Sequence, residues 1–387
     1  MLLTMSETSP IYSHAQTIHV EAPPSKVWDL VTAMERYGEW SSENDGGYWR
    51  KRPDGSVSTG KVGDEFVGIN RRDGQEWKAL VEIVERDEER AFAFVTGGTA
   101  ENFIQWGYRL EPEGTGTSLT EHWELRNLSP VMIENGDEEV QRRRANAIES
   151  LGRTLEAMRA TAEEGEAPAV YAGTRDELIT LARGLNDEQA AAEVTMCPGW
   201  TVKDVYAHVV GINDDFLSGR LEGVGTEAWT AAQVDKRADR SLDEVCDEWE
   251  RLRPDVDAIM ASDHGTAMRA TSDLVSHRLD VLSTLGRSED RDGRATRLAV
   301  ARYGPAVMER VAAAGLPVLE IVVGDQRWVS GEGEVAVSLT ASAFEACRVL
   351  TGRRSAAQTT ALDWTGDPAP YLELLSPYGS AAFDVEE

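Results

Sequence analysis

Cysteine is scarce in this chain: three residues in 387, Cys197, Cys246 and Cys347. An odd number, widely spaced and without a CxxC pair, argues against a disulfide framework or a zinc ribbon and fits a reducing cytoplasm. Long apolar runs are missing too. No stretch approaches the roughly 20 consecutive apolar residues of a membrane span. The opening MLLTMSETSP has no basic region followed by an apolar core, so no secretory signal is expected. Positive charge is the third shortage: 39 Lys and Arg stand against 68 Asp and Glu, a formal charge of -29. Such a surface repels phosphate backbones and anionic bilayers, which leaves a small molecule as the expected partner rather than nucleic acid or membrane.

What is present is enough for real cores. Hydrophobic residues make up 41% of the chain, and its length favours two or three domains. From about residue 12 to 162 the pattern runs strand, helical stretch, several alternating strands and a long helix from about Glu138 to Ala162. That order predicts an α+β domain whose curved sheet wraps its last helix. "AEEGEAPAVYAG" reads as a linker near residue 166. Residues 171–286 then predict four amphipathic helices, with capping boxes at Thr174/Glu177 and Ser241/Glu244, a helix from Thr201, and a last one from about Ala267 to Leu285. Residues 287–387 predict a small α/β region: a helix with Pro305 inside it or between two pieces, strands in "PVLEIVVGDQRWVS" and "EVAVSLT", and a helix ending at Gly352.

One helical stripe carries an anomaly. In "CPGWTVKDVYAHVVG", Thr201 and Asp204 cap a helix whose buried face is set by Val202, Val205, Val209 and Ile212. His208 points into that face. A buried imidazole must hydrogen-bond, titrate or bind a metal. The fourth helix of the bundle contains "TSDLVSHRLDV", where Asp273 and His277 lie four apart and share a face. A carboxylate and an imidazole at this spacing can be two ligands of one divalent ion, and His208 on the facing helix can be the third. Three N/O ligands with an open position is the pattern of a catalytic zinc or similar ion. Asp280, one turn on, falls where it would support a ligand from behind. Each part alone also has a plain reading, as a satisfied core histidine and a helix-surface contact.

The stretches "CPGWTVKDVYAHVV", "DLVSHRLDV" and "LTGRRSAAQTTALDWTGDPAPYL" together resemble the maleylpyruvate isomerase family of mycothiol-dependent enzymes, within the DinB-like metal-binding bundles. The resemblance spans about Tyr171 to Gly379. It implies that His208, Asp273 and His277 hold the metal, with Asp273 standing where the family has Glu. It also implies a C-terminal region that closes over the metal, in which Arg353, with Arg354 beside it, clamps a substrate carboxylate. The plain reading of Arg353 is a cation at a helix C-terminus.

The N-terminal segment resembles a second family. "IHVEAPPSKVWDLVTAMERYGEW", "GKVGDEF" and "GTSLTEHWEL" are similar to the polyketide cyclase/START-like (SRPBCC) superfamily. That resemblance implies a helix-grip fold with an apolar cavity between sheet and helix. Strand alternation then puts Ile104, Trp106 and Tyr108 on one strand face, and Glu121 and Trp123 on that of another, as candidate cavity residues. Glu121 among apolar neighbours is either a polar anchor, a base with raised pKa, or the partner of an arginine in "QRRR", residues 141–144.

Together the two resemblances imply a metal- and thiol-dependent isomerase or S-transferase, with zinc and mycothiol or another small thiol as cofactors. Its substrate would be a small, aromatic or unsaturated acid, and the N-terminal domain would bind an apolar ligand. The alternatives are a non-catalytic small-molecule binding protein and a cyclase-type enzyme using the N-terminal cavity.

Overall fold

The computed structural model describes residues 9–387 except 42, 53, 54, 57, 73, 115 and 325, and the side chain of Gln75 is likewise outside it. The N-terminal segment read for a leader, Thr115 of the expected "EPEGTG" hairpin and Asp325 of the expected "GDQ" turn lie outside the described residues. The fold mixes helix and sheet: an N-terminal antiparallel sheet, then a helical region. The chain divides into two compact units, Met1–Glu163 and Glu164–Glu387.

The first unit opens with β1 (Tyr12–Val20) and α1 (Pro24–Val31), followed by a 3-10 turn at Met34–Glu39. Then come β2 (Asn44–Trp49), β3 (Glu65–Arg72), β4 (Gln75–Asp87), β5 (Ala91–Thr96), a short α2 (Gly98–Glu101), β6 (Ile104–Glu113) and β7 (Gly116–Leu125). The seven strands form one sheet in the order β1-β7-β6-β5-β4-β3-β2, antiparallel throughout. A strand turns alternate side chains to opposite faces, and β7 obeys this closely: Leu119, Glu121, Trp123 and Leu125 are buried while the residues between them are half-buried. The covered face packs on α3 (Pro130–Arg183), whose Leu155, Met158 and Ala162 join Val27, Phe92 and Leu119 in one core. A second cluster sets Trp123 and Leu125 against Met132, Val140, Ala147 and Leu151.

The helix α3 corrects two expectations. It is interrupted at Gly136 (φ 70°, ψ -157°) and otherwise runs on to Arg183, so the expected linker is helical and Thr174 caps nothing. The alanines and glutamates that read as a linker are good helix formers, and Ala167, Val170 and Tyr171 are buried in the core of the second unit. Burial of that stripe outweighs the missing N–H of Pro168.

In the second unit, a short α4 (Asp187–Ala190) leads to α5 (Val202–Ser218), α6 (Glu227–Asp235), α7 (Leu242–Ser262) and α8 (His264–Thr284). The C-terminal part of α3 with α5, α7 and α8 shares one core, in which Leu178, Val205, Trp249 and Leu274 meet. The expected caps are present at Thr201/Asp204 and Ser241/Glu244. The small helix α6 lies in what reads as a plain connection. The chain ends with α9 (Arg294–Ala313), continuous through Pro305, then β8 (Leu319–Val323), β9 (Gln326–Val329), β10 (Val337–Ala341), α10 (Ala343–Leu350), α11 (Ala356–Thr360), β11 (Asp363–Thr365) and α12 (Leu372–Leu375). Its sheet has the order β11-β10-β8-β9, with β8 and β10 parallel. Val275 and Leu279 of α8 belong to this second core, so α8 is buried on two faces. Among the described residues no helix is long and apolar enough to cross a membrane.

Candidate metal centre

The Thr201 cap fixes the start of α5 and therefore which face His208 occupies. The Thr201 hydroxyl accepts from the Asp204 N–H, and the Asp204 carboxylate accepts from that of Thr201. Seven residues into the helix, His208 is 5% exposed. On α8 the four-residue spacing sets Asp273 Oδ1 3.8 Å from His277 Nε2. The rings of His208 and His277 meet edge to face, 5.1 Å between centroids. Ligand atoms of His208, Asp273 and His277 all lie within 4.8 Å of one another.

Behind His208 stands a hydrogen-bonded partner, and behind His277 a carboxylate at ion-pair distance whose contact with Nδ1 does not make a hydrogen bond. His277 turns Nδ1 toward Asp280, at 3.4 Å, while its Nε2 faces Asp273. Asp280 is wholly buried and takes Arg348 on Oδ1 at 2.6 Å and Arg353 on Oδ2 at 3.0 Å. Its burial would raise its pKa, but the two guanidinium groups outweigh that and hold it well below the usual carboxylate range. Burial likewise pulls His277 down, yet Asp273 and Asp280 prevail and lift it to about 10. His208 goes the other way: burial, with the charge of His277 beside it, lowers it to about 4.

The partner of His208 is Gln233, 2.7 Å from Nδ1 to Oε1. The direction of this bond follows from the next link. Gln233 Nε2 donates to Asp215 Oδ2 at 2.8 Å, and Asp215, paired with Arg220, is a carboxylate that only accepts. The amide orientation is thereby fixed: Oε1 faces His208 and must accept, so Nδ1 carries the proton and Nε2 keeps its lone pair. This is how outer partners prepare an imidazole to ligate. Gly211 makes the approach of α6 possible, since a Cβ there would stand 2.4 Å from Gln233 Cβ. A glycine three residues after the buried histidine, in mid-helix, was the available sequence signal for this contact.

The cluster lines a cavity of about 600 Å³. Cys197 and Trp200, before α5, line it too, with the Trp200 ring 5.0 Å from that of His208. Cys197 is half-buried, its Sγ 3.9 Å from Asp280 Oδ2. Cys197, His277 and Asp280 form a second group of ligand atoms within the same distance limit. In that group, however, Asp280 is already neutralised by two arginines.

Arg353 lines the cavity, but not as a free clamp: Nη2 is bound to Asp280, and Nη1 donates to the Thr351 carbonyl at 2.7 Å. Arg354 is directed elsewhere, to Glu345 at 2.8 Å and Glu387 at 2.6 Å. Two carboxylates occupy the Arg354 guanidinium expected to stand beside a substrate, and Arg354 is not among the described residues that line the cavity.

In the first unit, Tyr108 and Trp123 are each 1% exposed and belong to its core clusters, with Ile104 and Trp106 partly buried against them. Glu121 lies opposite Tyr108 in the strand register, and the tyrosine hydroxyl donates to Oε1 at 3.0 Å. Among the described residues Oε2 has no hydrogen-bond partner, and burial pushes the acid up to about 8. The arginines of "QRRR" do not reach it. Arg142 and Arg143 pair with Glu139, one helical turn away, and Arg144 stacks on Tyr12.

The comparisons with known proteins follow the same division. Residues 13–163 match the family model described as polyketide cyclase / dehydrase and lipid transport. Residues 171–282 match the mycothiol maleylpyruvate isomerase N-terminal domain. Both resemblances read in the sequence are therefore found, the second ending before Arg353. Similar solved structures include a polyketide cyclase-like protein from Corynebacterium glutamicum, 27% identical over 38% of this chain and 88% of that one, with a TM-score of 0.29. Others are a START superfamily protein from Mycobacterium smegmatis, 17% identical over 39% and 97% with a TM-score of 0.30, and a major latex-like protein from Panax ginseng, 16% identical over 39% and 97% with a TM-score of 0.30. No curated protein matches this chain.

Proposed function

We propose that residues 171–286 with the C-terminal region 287–387 form a metal- and thiol-dependent isomerase or S-transferase centre of the mycothiol type. Residues 12–162 are read as an apolar-ligand-binding domain. The observation that carries the reading is the gathering of His208, Asp273 and His277 at the wall of a cavity large enough for a substrate.

Two imidazoles and a carboxylate are donors suited to zinc or a similar first-row ion. Such an ion, when bound, stabilises a thiolate at neutral pH. The chain's own residues supply the rest. Gln233 and Asp280 hold the two imidazoles from behind, and Trp200 covers His208. Arg353, held by Asp280 at the cavity wall, places positive charge beside the position of a substrate carboxylate or thiolate. To serve as a ligand, His277, raised to about 10, would have to give up a ring proton. The substrate is a small unsaturated or aromatic acid, the thiol is mycothiol or a relative, and the setting is the cytoplasm.

The test is elemental analysis of protein purified without added metal, followed by an assay of thiol-adduct formation with an unsaturated acid. A stoichiometric divalent metal and turnover that requires a small thiol are expected. A metal-free protein that binds apolar ligands tightly and shows no thiol dependence would establish the binding-protein reading instead.

A further inference from the structure

The cavity extends well beyond the metal cluster. From His208, Ile212 and Phe216 continue the same face of α5, so two helical turns separate the cluster from Phe216, about 12 Å along the axis. Opposite them stand Trp229 of α6, Ile259 and Met260 of α7 and Leu274 of α8. This length carries little charge. Away from the cluster and Arg353, which is bound to Asp280, the charged side chains among the described lining residues are Glu227 of α6 and Arg269, which donates to Thr266, and both are exposed. Phe216 and Val224 line the cavity and are still 40% and 50% exposed, so its rim is apolar as well. Left without an occupant, such a rim is unfavourable.

A short diacid would fill only the end beside the cluster and would meet apolar walls with its second carboxylate. We propose that the chamber between α5, α6, α7 and α8 is a tail subsite, and that the electrophile processed at the cluster is a mono-acid with an apolar tail about as long as an octyl to decyl chain. This rests on the catalytic reading given above, but the chamber itself does not depend on a bound ion, because its walls are side chains of α5, α6, α7 and α8, with Met260 and Leu274 belonging to the bundle core.

The probe is a series of straight-chain carboxylates from butanoate to tetradecanoate, kept below their aggregation limits. Binding is measured by calorimetry on the full chain, both zinc-loaded and stripped with a chelator. Affinity is expected to rise about threefold per added methylene and to level off near octanoate to decanoate, where the chamber is full. Ile212→Asn should flatten the rise while leaving the zinc content unchanged. Phe216→Ala, at a half-exposed position that tolerates truncation, should lower the affinity of the longest chains alone. A rise that persists in stripped protein with a weaker common offset supports the chamber even if the metal reading fails. Absence of any rise in zinc-loaded protein overturns the chamber and leaves the metal reading intact. A rise unchanged in both variants places the tails elsewhere and overturns it too.

Discussion

Two buried acids show what separates a site from a core defect. Glu121 in the first unit and Asp280 in the second are both almost free of solvent, and both lie on regular elements. Glu121 has one tyrosine for a partner, an oxygen left bare and a pKa pushed up to about 8, so it is a neutral acid at neutral pH. Asp280 has two arginines and an imidazole, stays ionised, and stands directly behind a histidine that faces a cavity. Burial alone says little about function. What differs is the partner charge, and the open space in front of the group that the acid holds.

The comparison can be broken most forcefully at Asp280. Asp280→Ala leaves Arg353 in the core without its carboxylate, while Arg348 keeps Glu387, and a loss of about 3–5 kcal/mol is expected in chemical denaturation. If the loss is below 1 kcal/mol, on the scale of an exposed pair, Asp280 is not the hub described here. His277→Ala should come next. Removal of one donor of three is expected to weaken zinc binding by at least about a hundredfold, read by competition with a chromophoric chelator, since loss of an outer partner already costs 10–100-fold. An unchanged affinity would move the site to other residues.

Gln233→Leu tests the outer partner itself. Loss of the acceptor for His208 Nδ1 should weaken zinc binding about tenfold. In metal-free protein, imidazole nitrogen shifts should show the Nδ1-protonated tautomer in wild type and a mixture in the variant. Wild type with the proton on Nε2 would contradict the orientation derived from Asp215. The last test belongs to the first unit. An acid raised from its unfolded value to about 8 binds more protons folded than unfolded, so its contribution to stability is present at low pH and is lost as pH rises through 8. Glu121→Gln should therefore be more stable than wild type by several kcal/mol at pH 8, about 1.4 kcal/mol for each unit by which the acid is raised, and its melting temperature should fall less between pH 5 and 8. A variant less stable at pH 8 would mean that the carboxylate has a partner there.

Local period was the legible part. The spacing of Val202, Val205 and Val209 and the Thr201 cap placed His208 inward, and the four-residue step joined Asp273 to His277. Strand alternation put Glu121 beside Trp123 on a covered face. These follow from the sequence because a helix or strand fixes which residues share a side, whatever lies opposite. The tertiary structure decided what does lie opposite. Arg353 and Arg354 are neighbours in sequence, yet one is bound to Asp280 and the other to Glu345 and Glu387. Gln233 became the partner of His208 because Gly211 lets α6 approach, and Glu121 missed the arginines of α3 because Glu139 lies nearer to them. The continuity of α3 through Pro168 was likewise settled by the core that buries Ala167 and Tyr171, since a single proline costs less than leaving that stripe in water.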